Sequence, residues 1–404
     1  MAEIELTVGR TPWVLRVPNA VLVKPRAAAP PATPIGDARA AVHQALDHPV
    51  HLEFPLSRAL TPDDRVALVI DEQLPRLGEL IAGVLDYLAA IGIGPEAVTI
   101  LSAPGHGAQA WIDELPDEFA DVHTEVHQPD DRKQLSYLAA TKNGRRIYLN
   151  RTLVDADQII SLASRRYDPQ LGYAGGEGSL YPTLSDTETR RALCNRVTMD
   201  APTHQPAGVR AEAAEIAWLL GSPIFVQVID SGNGSIAHIC AGLVDSNVEG
   251  ARMQDSRWRL SVSKPVDLAV VAVSGEPGTS DFGPLAQAAA CAARAVAESG
   301  SIVILSEAEP TLGEGMEMLR AASDPGSALR KFTSQKPADL ATAFLWASAA
   351  ERAHLYLACG LNPEIVEEIF ATPIHSPAEV QRLIDRGGSC LCLPDADKSL
   401  VVIE

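Results

Sequence analysis

The sequence predicts an α/β protein built as two α/β domains with mainly parallel sheets. Short, continuously apolar runs such as Val66-Ala67-Leu68-Val69-Ile70 and Leu268-Ala269-Val270-Val271-Ala272 read as strands buried on both faces. Helical segments separate such runs. Leu80, Ile81, Val84, Leu85 and Leu88 form one apolar stripe on a helix over residues 78–90. At 404 residues the chain exceeds one ordinary hydrophobic core, so two domains are expected, 1–264 and 265–404.

Taken in order, residues 1–24 read as two strands around Gly9-Arg10-Thr11-Pro12. Residues 25–34 are a proline-stiffened connector with no core of its own. A helix bearing Ala40, Val42 and Leu46 stops before Pro49. The strand at 66–70, the helix at 78–90 and a strand at 98–101 form a strand–helix–strand unit, which favours parallel pairing. Residues 158–163 are a further buried strand. The pattern resumes with a strand at 265–273 and an Ala-rich helix at 285–297, since alanine is the best helix former. Then come a strand at 301–305, a helix at 342–352 and a strand at 354–358. Helices at 363–370 and 377–385 precede closing strands at 389–393 and 400–403.

Composition narrows the partners. With 52 acidic against 33 basic side chains the formal net charge is −19. A field of that sign repels nucleic-acid phosphate and anionic membranes, although paired arginines in a loop still suit a small anion. No apolar run approaches the ~20 residues of a membrane span. Cys194, Cys240, Cys291, Cys359, Cys390 and Cys392 sit in apolar neighbourhoods without a CxxC pair, so neither zinc nor a disulfide framework is expected. The N-terminus carries acid where a signal peptide would carry Lys or Arg, and the expected compartment is the cytoplasm. Only Cys390 and Cys392 are close in sequence; at i and i+2 on a strand they share a face.

Ligands of open α/β sheets sit beyond the carboxyl ends of the strands. Three such ends carry chemistry here. Ile70 is followed by Asp71-Glu72-Gln73-Leu74-Pro75-Arg76, and Leu101 by Ser102-Ala103-Pro104-Gly105-His106-Gly107. Ala163 is followed by Ser164-Arg165-Arg166-Tyr167-Asp168, which runs into Gly172-Tyr173-Ala174-Gly175-Gly176-Glu177-Gly178. Four glycines in those last seven residues allow close backbone approach to a phosphate or carboxylate. Each residue also has a plainer reading. His106 suits a turn, and Asp168 before Pro169 suits an Asx turn. Arg165 and Arg166 are either an ordinary exposed pair or a bidentate anion clamp. Glu177 opposes anion binding unless an arginine offsets it. Cys194 reads as a small buried hydrophobe, and His123, His127 and His204 show no ligand spacing. No metal site is expected.

The loop at 172–178 resembles the cofactor loop of the lactate racemase family, enzymes that use a nickel-pincer nucleotide. That loop reads Gly-Tyr/Phe-Ser-Gly-Gly-Arg-Lys, and its lysine carries the cofactor. Here Glu177 and Gly178 take the last two places. The likeness runs nearly the whole length: Ala45-Leu46-Asp47-His48-Pro49, Asp71 to Pro75, Pro104-Gly105-His106-Gly107 and Leu391 to Asp395 follow the family's order and spacing. Departures cluster. Leu74 replaces a substrate-side arginine, with Arg76 two positions on. Asp168 falls on the nickel-ligand histidine and Cys194 on a second cofactor-site histidine. The family's substrate-flanking Gln and Lys fall near Pro284 and Gln287.

The resemblance implies two domains with a cleft between them, and racemisation or epimerisation of a 2-hydroxy acid. Two readings follow. In one the chain is a divergent racemase or epimerase that binds its nucleotide or a metal differently, with His106 as base, Asp71 as an orienting or nucleotide-side carboxylate and Arg76, Arg165 or Arg166 as anion clamp. In the other it is a non-catalytic homologue that binds a small carboxylate or nucleotide. In both, covalent attachment of the nickel-pincer cofactor is not expected, because Gly178 offers no amine. Asp71, His106 and a solvent-facing Arg165–Arg166 pair should converge beside the loop framed by Tyr173, Gly175, Gly176 and Glu177.

Overall fold

The computed structural model describes residues 1–404 except 10, 28, 30, 31, 104–108, 142, 143, 194–196, 206, 207, 233 and 274–280. The chain divides into two compact units. One contains Met1–Pro30, Cys194–Ala201 and Trp258–Glu404; the other contains Pro31–Leu193 and Pro202–Arg257. The last passage of the chain from one unit to the other is at 257/258, where the sequence reading placed a division at 264/265. The first thirty residues, however, group with the C-terminal part.

In the unit holding Pro31–Leu193, six strands form one sheet. Their order is Ser235–Gly242, Ile224–Gly232, Gln158–Ser164, Val66–Ile70, Val98–Ser102 and His123–Val126. All neighbours are parallel except the Ser235–Gly242 edge, which pairs antiparallel. The continuous apolar run at 66–70 is explained by its position: every residue in it is buried. Leu68 and Ile70 point into one cluster with Leu80, Ile81, Val84 and Leu88 of the Leu77–Ile91 helix. Ala67 and Val69 point into another, on the opposite face, with Leu180 and Tyr181. Both faces are therefore covered. Each fully buried aliphatic side chain contributes about 1.5–3 kcal/mol.

The other unit repeats this plan. Its sheet order is Ala371–Pro373, His354–Ala358, Val296–Leu305, Val266–Ala272, Cys390–Leu393 and Leu22–Val23, all parallel. Ala269 and Val271 face the Ala-rich helix Gly283–Ala295; Leu268 and Val270 face Leu6, Val8, Leu15 and Val17 of the N-terminal hairpin. That helix ends earlier than expected, because β-branched Val296 already opens the next strand. The connector is also less independent than its prolines suggest, since Arg26–Ala27 pairs with Leu260 and Ser261. Among the described residues no helix is long and apolar enough to cross a membrane.

Candidate anion site at the strand ends

Both sheets are wound outward from a central strand, and the crevice where the winding reverses is the usual ligand position. In the Pro31–Leu193 unit the reversal lies between Val66–Ile70 and Gln158–Ser164. Asp71 and Arg166 stand at those two ends. The Asp71 amide donates to the Leu162 carbonyl at 3.1 Å, and its Oδ1 accepts the Gln73 amide at 3.1 Å, which fixes the turn. Its Oδ2 accepts Arg166 Nη1 at 2.9 Å. The Arg166 side chain is 41% exposed and that of Asp71 16%. Among the described residues, Asp71 is the one hydrogen-bonding partner of the Arg166 guanidinium, so much of this group faces solvent.

Arg165 behaves differently, and the expectation of a solvent-facing pair fails at this residue. It is 2% exposed. Successive residues of an extended chain point to opposite sides, so one arginine turns outward and its neighbour inward. Nε donates to Gln227 Oε1 at 2.6 Å, Nη1 to the Ala174 carbonyl at 3.0 Å and Nη2 to the Asn247 carbonyl at 2.9 Å. Arg165 thus holds the glycine loop from beneath. The loop depends on close backbone approach: a Cβ at Gly175, where φ is +73°, would lie 2.4 Å from the Ser164 carbonyl oxygen. At Gly176 it would lie 2.6 Å from Arg165 Nη2.

Glu177 supplies the countercharge. Its carboxylate, 2% exposed, lies 4.0 Å from Arg165 Nη2 and 3.8 Å from Arg210 Nε. Burial pushes both guanidiniums below their usual values, and the Glu177 carboxylate opposes that shift. Glu177 Oε2 has no hydrogen-bond partner, nor do the side-chain amide atoms of Asn247. The loop's polar underside therefore sets one carboxylate against two guanidiniums and is not saturated with hydrogen bonds.

A neighbouring cluster escaped the sequence reading. Tyr167 and Tyr173 both donate to Asp255 Oδ1 at 2.9 Å, and His204 Nε2 lies 3.0 Å from Asp255 Oδ2. The His204 ring stacks on Tyr173 with centroids 6.0 Å apart, and the Arg210 guanidinium lies 5.4 Å from the centroid of the same ring. The one available signal was the Tyr167–Tyr173 spacing across the Asp168–Gly172 hairpin pair; His204 and Asp255 come from distant segments.

Residues 9–204 match the model of the lactate racemase N-terminal domain. Through this segment the chain belongs to the lactate racemase N-terminal domain family. The structure of the lactate racemase apoprotein from Thermoanaerobacterium thermosaccharolyticum has the same fold. It aligns with a TM-score of 0.81 at 17% identity, over 99% of this chain and 100% of that one. A protein from Thermotoga maritima aligns with a TM-score of 0.66 at 13% identity, over 91% of this chain and 99% of that one. At these identities the likeness is one of fold. No curated protein matches the chain by sequence.

Several positions singled out by the lactate racemase resemblance have structural employment. Arg76 caps the Leu77–Ile91 helix, and its guanidinium donates to the carbonyls of Ile35 and Gly36 and to Glu79, at 2.6–2.8 Å. It is not available as a clamp. Asp168 Oδ1 accepts the amides of Gln170 and Leu171, the Asx-turn arrangement. Gly178 is buried in the short Glu177–Leu180 helix, and a Cβ there would meet Leu171 Cδ1 at 2.7 Å. His106 and Cys194 lie outside the described residues.

Proposed function

We propose that this chain is a lactate racemase homologue that binds a small carboxylate, in the class of 2-hydroxy acids, without the family's tethered cofactor. The half-exposed Arg166, aligned by Asp71 at the switch point of its sheet, carries this reading. A guanidinium oriented by one carboxylate can present its remaining N–H groups to a second. Arg165 is a support for the loop in this reading, not a ligand contact. A covalently held nucleotide does not fit the residue at the tether position, because Gly178 has no amine. A cytoplasmic setting accords with Cys240, Cys291, Cys359, Cys390 and Cys392 all being free thiols.

Thermal-shift titration with lactate and larger 2-hydroxy acids is the test. Replacing Arg166 by Ala should weaken binding at least roughly tenfold, since a charge-assisted hydrogen bond contributes about 1.5–3 kcal/mol. Unchanged affinity in the folded variant would remove the site. Steady formation of D-lactate from L-lactate, lost in His106→Ala, would instead establish the catalytic reading.

A further inference from the structure

The segment that leaves the glycine loop is tied to the edge of its own sheet by a histidine. Thr183 Oγ1 donates to the Gly178 carbonyl at 2.7 Å and the Leu184 amide to the Leu180 carbonyl at 3.0 Å, so this segment continues the loop as one hydrogen-bonded turn. At its end the Ser185 carbonyl accepts from His127 Nε2 at 3.0 Å. His127 directly follows the His123–Val126 edge strand, and its amide donates to the Ser102 carbonyl at 2.9 Å. The residue is fully buried.

The second ring nitrogen faces a donor. Asn150 Nδ2 lies 3.4 Å from His127 Nδ1 and donates to Glu125 Oε1 at 2.7 Å. The oxygen of this carboxamide fixes its orientation: it accepts the Thr152 and Leu153 amides, at 2.8 and 3.4 Å, at the start of the Arg151–Asp155 helix. Reversing the amide would set its oxygen against the Glu125 carboxylate and leave both helix amides uncapped. The other Glu125 oxygen is held by Thr152 Oγ1 at 2.6 Å. The ring is therefore neutral, with its hydrogen on Nε2. An imidazolium would carry a hydrogen on each nitrogen and press one of them against the Asn150 amino group. Burial pushes His127 below the ordinary histidine range, and Arg190 of the Thr187–Leu193 helix adds to that shift. The Ser185 carbonyl, Glu125 and Asp186 oppose it.

We propose that His127 is an acid-sensitive latch whose protonation frees the segment around Ser185, behind the glycine loop. In its buried position a charged ring has no acceptor for Nδ1–H and lacks hydration, and leaving for solvent supplies both. The bond to Ser185 breaks with that departure. What then retains the segment includes the Asp186 amide on the Tyr148 carbonyl and the Thr187 amide on the Pro129 carbonyl, both at 3.3 Å. Because the open form takes the proton more readily, the closed form is favoured above about pH 6.5 and is lost as pH falls through that value.

Hydrogen exchange on the full chain at about pH 7.5 and about pH 5.5 is the test, expressed as protection factors so that the chemical rate cancels. Protection of the Asp186 and Thr187 amides should fall about tenfold, the result of one proton taken up on opening. Amides of Val66–Ile70 should keep theirs. His127→Gln is neutral at both pH values and can still donate and accept, so it should abolish the difference. The carbon-bound ring protons of wild-type His127, followed by NMR, should titrate below the ordinary histidine range, a readout that does not depend on the variant folding. Protection independent of pH in the wild type, the same fall in folded His127→Gln, or an ordinary titration of the wild-type ring would overturn the proposal.

Discussion

Arg165, Arg166 and Glu177 show how differently neighbouring charges can be employed. Glu177→Gln leaves two guanidiniums buried without their countercharge, and one-sided removal of a buried pair costs about 3–5 kcal/mol. The urea midpoint of that variant should fall accordingly. Arg166→Ala removes a half-exposed pair and should cost less than about 1 kcal/mol. Equal stability of the two variants would mean that the buried network does not hold the loop. The residue types of this site were legible in the sequence, as was the proximity of Asp71 to the second arginine's strand end. Which arginine turned inward was not. Burial of Arg165 depends on Gln227, Ala174 and Asn247, none of them close in sequence to it except Ala174.

The glycine loop is the element on which the site rests. Gly175→Ala would place a methyl against the Ser164 carbonyl at a positive φ, a conformation that alone costs a non-glycine residue about 1–3 kcal/mol. Gly178→Ala meets only the far end of the Leu171 side chain, at an ordinary backbone angle. Chemical denaturation should rank Gly175→Ala well below Gly178→Ala; the reverse order would refute this description of the loop. Strands with unbroken apolar runs, at 66–70 and 268–272, were legible because both faces are buried. The antiparallel pair Ile224–Gly232 and Ser235–Gly242 was not assigned from sequence. Its run is interrupted by Gln227, a buried polar residue whose amide serves Arg165 and Ser246.

At the scale of the molecule, the N-terminal hairpin completes the unit formed by Trp258–Glu404. Leu6, Val8, Leu15 and Val17 are buried against Leu268, Val270 and Val303. At about 1.5–3 kcal/mol each, these four side chains are comparable to a whole domain's net stability. Removing residues 1–30 should therefore leave the remainder of that unit sensitive to limited proteolysis, with the Pro31–Leu193 unit still protected. Survival of protease resistance throughout would show that the hairpin is dispensable. By itself the sequence determined the α/β class, the order of most strands and helices, the strand ends that carry Asp71 and Arg166, and the shared face of Cys390 and Cys392. These follow from period, composition and local backbone rules, which act over a few residues. Tertiary structure alone decided that the first strands belong with the last, that Arg165 is buried while Arg166 is not, and that His204 meets Asp255. Those outcomes turn on burial and charge balance between segments far apart in the chain, which no local pattern encodes.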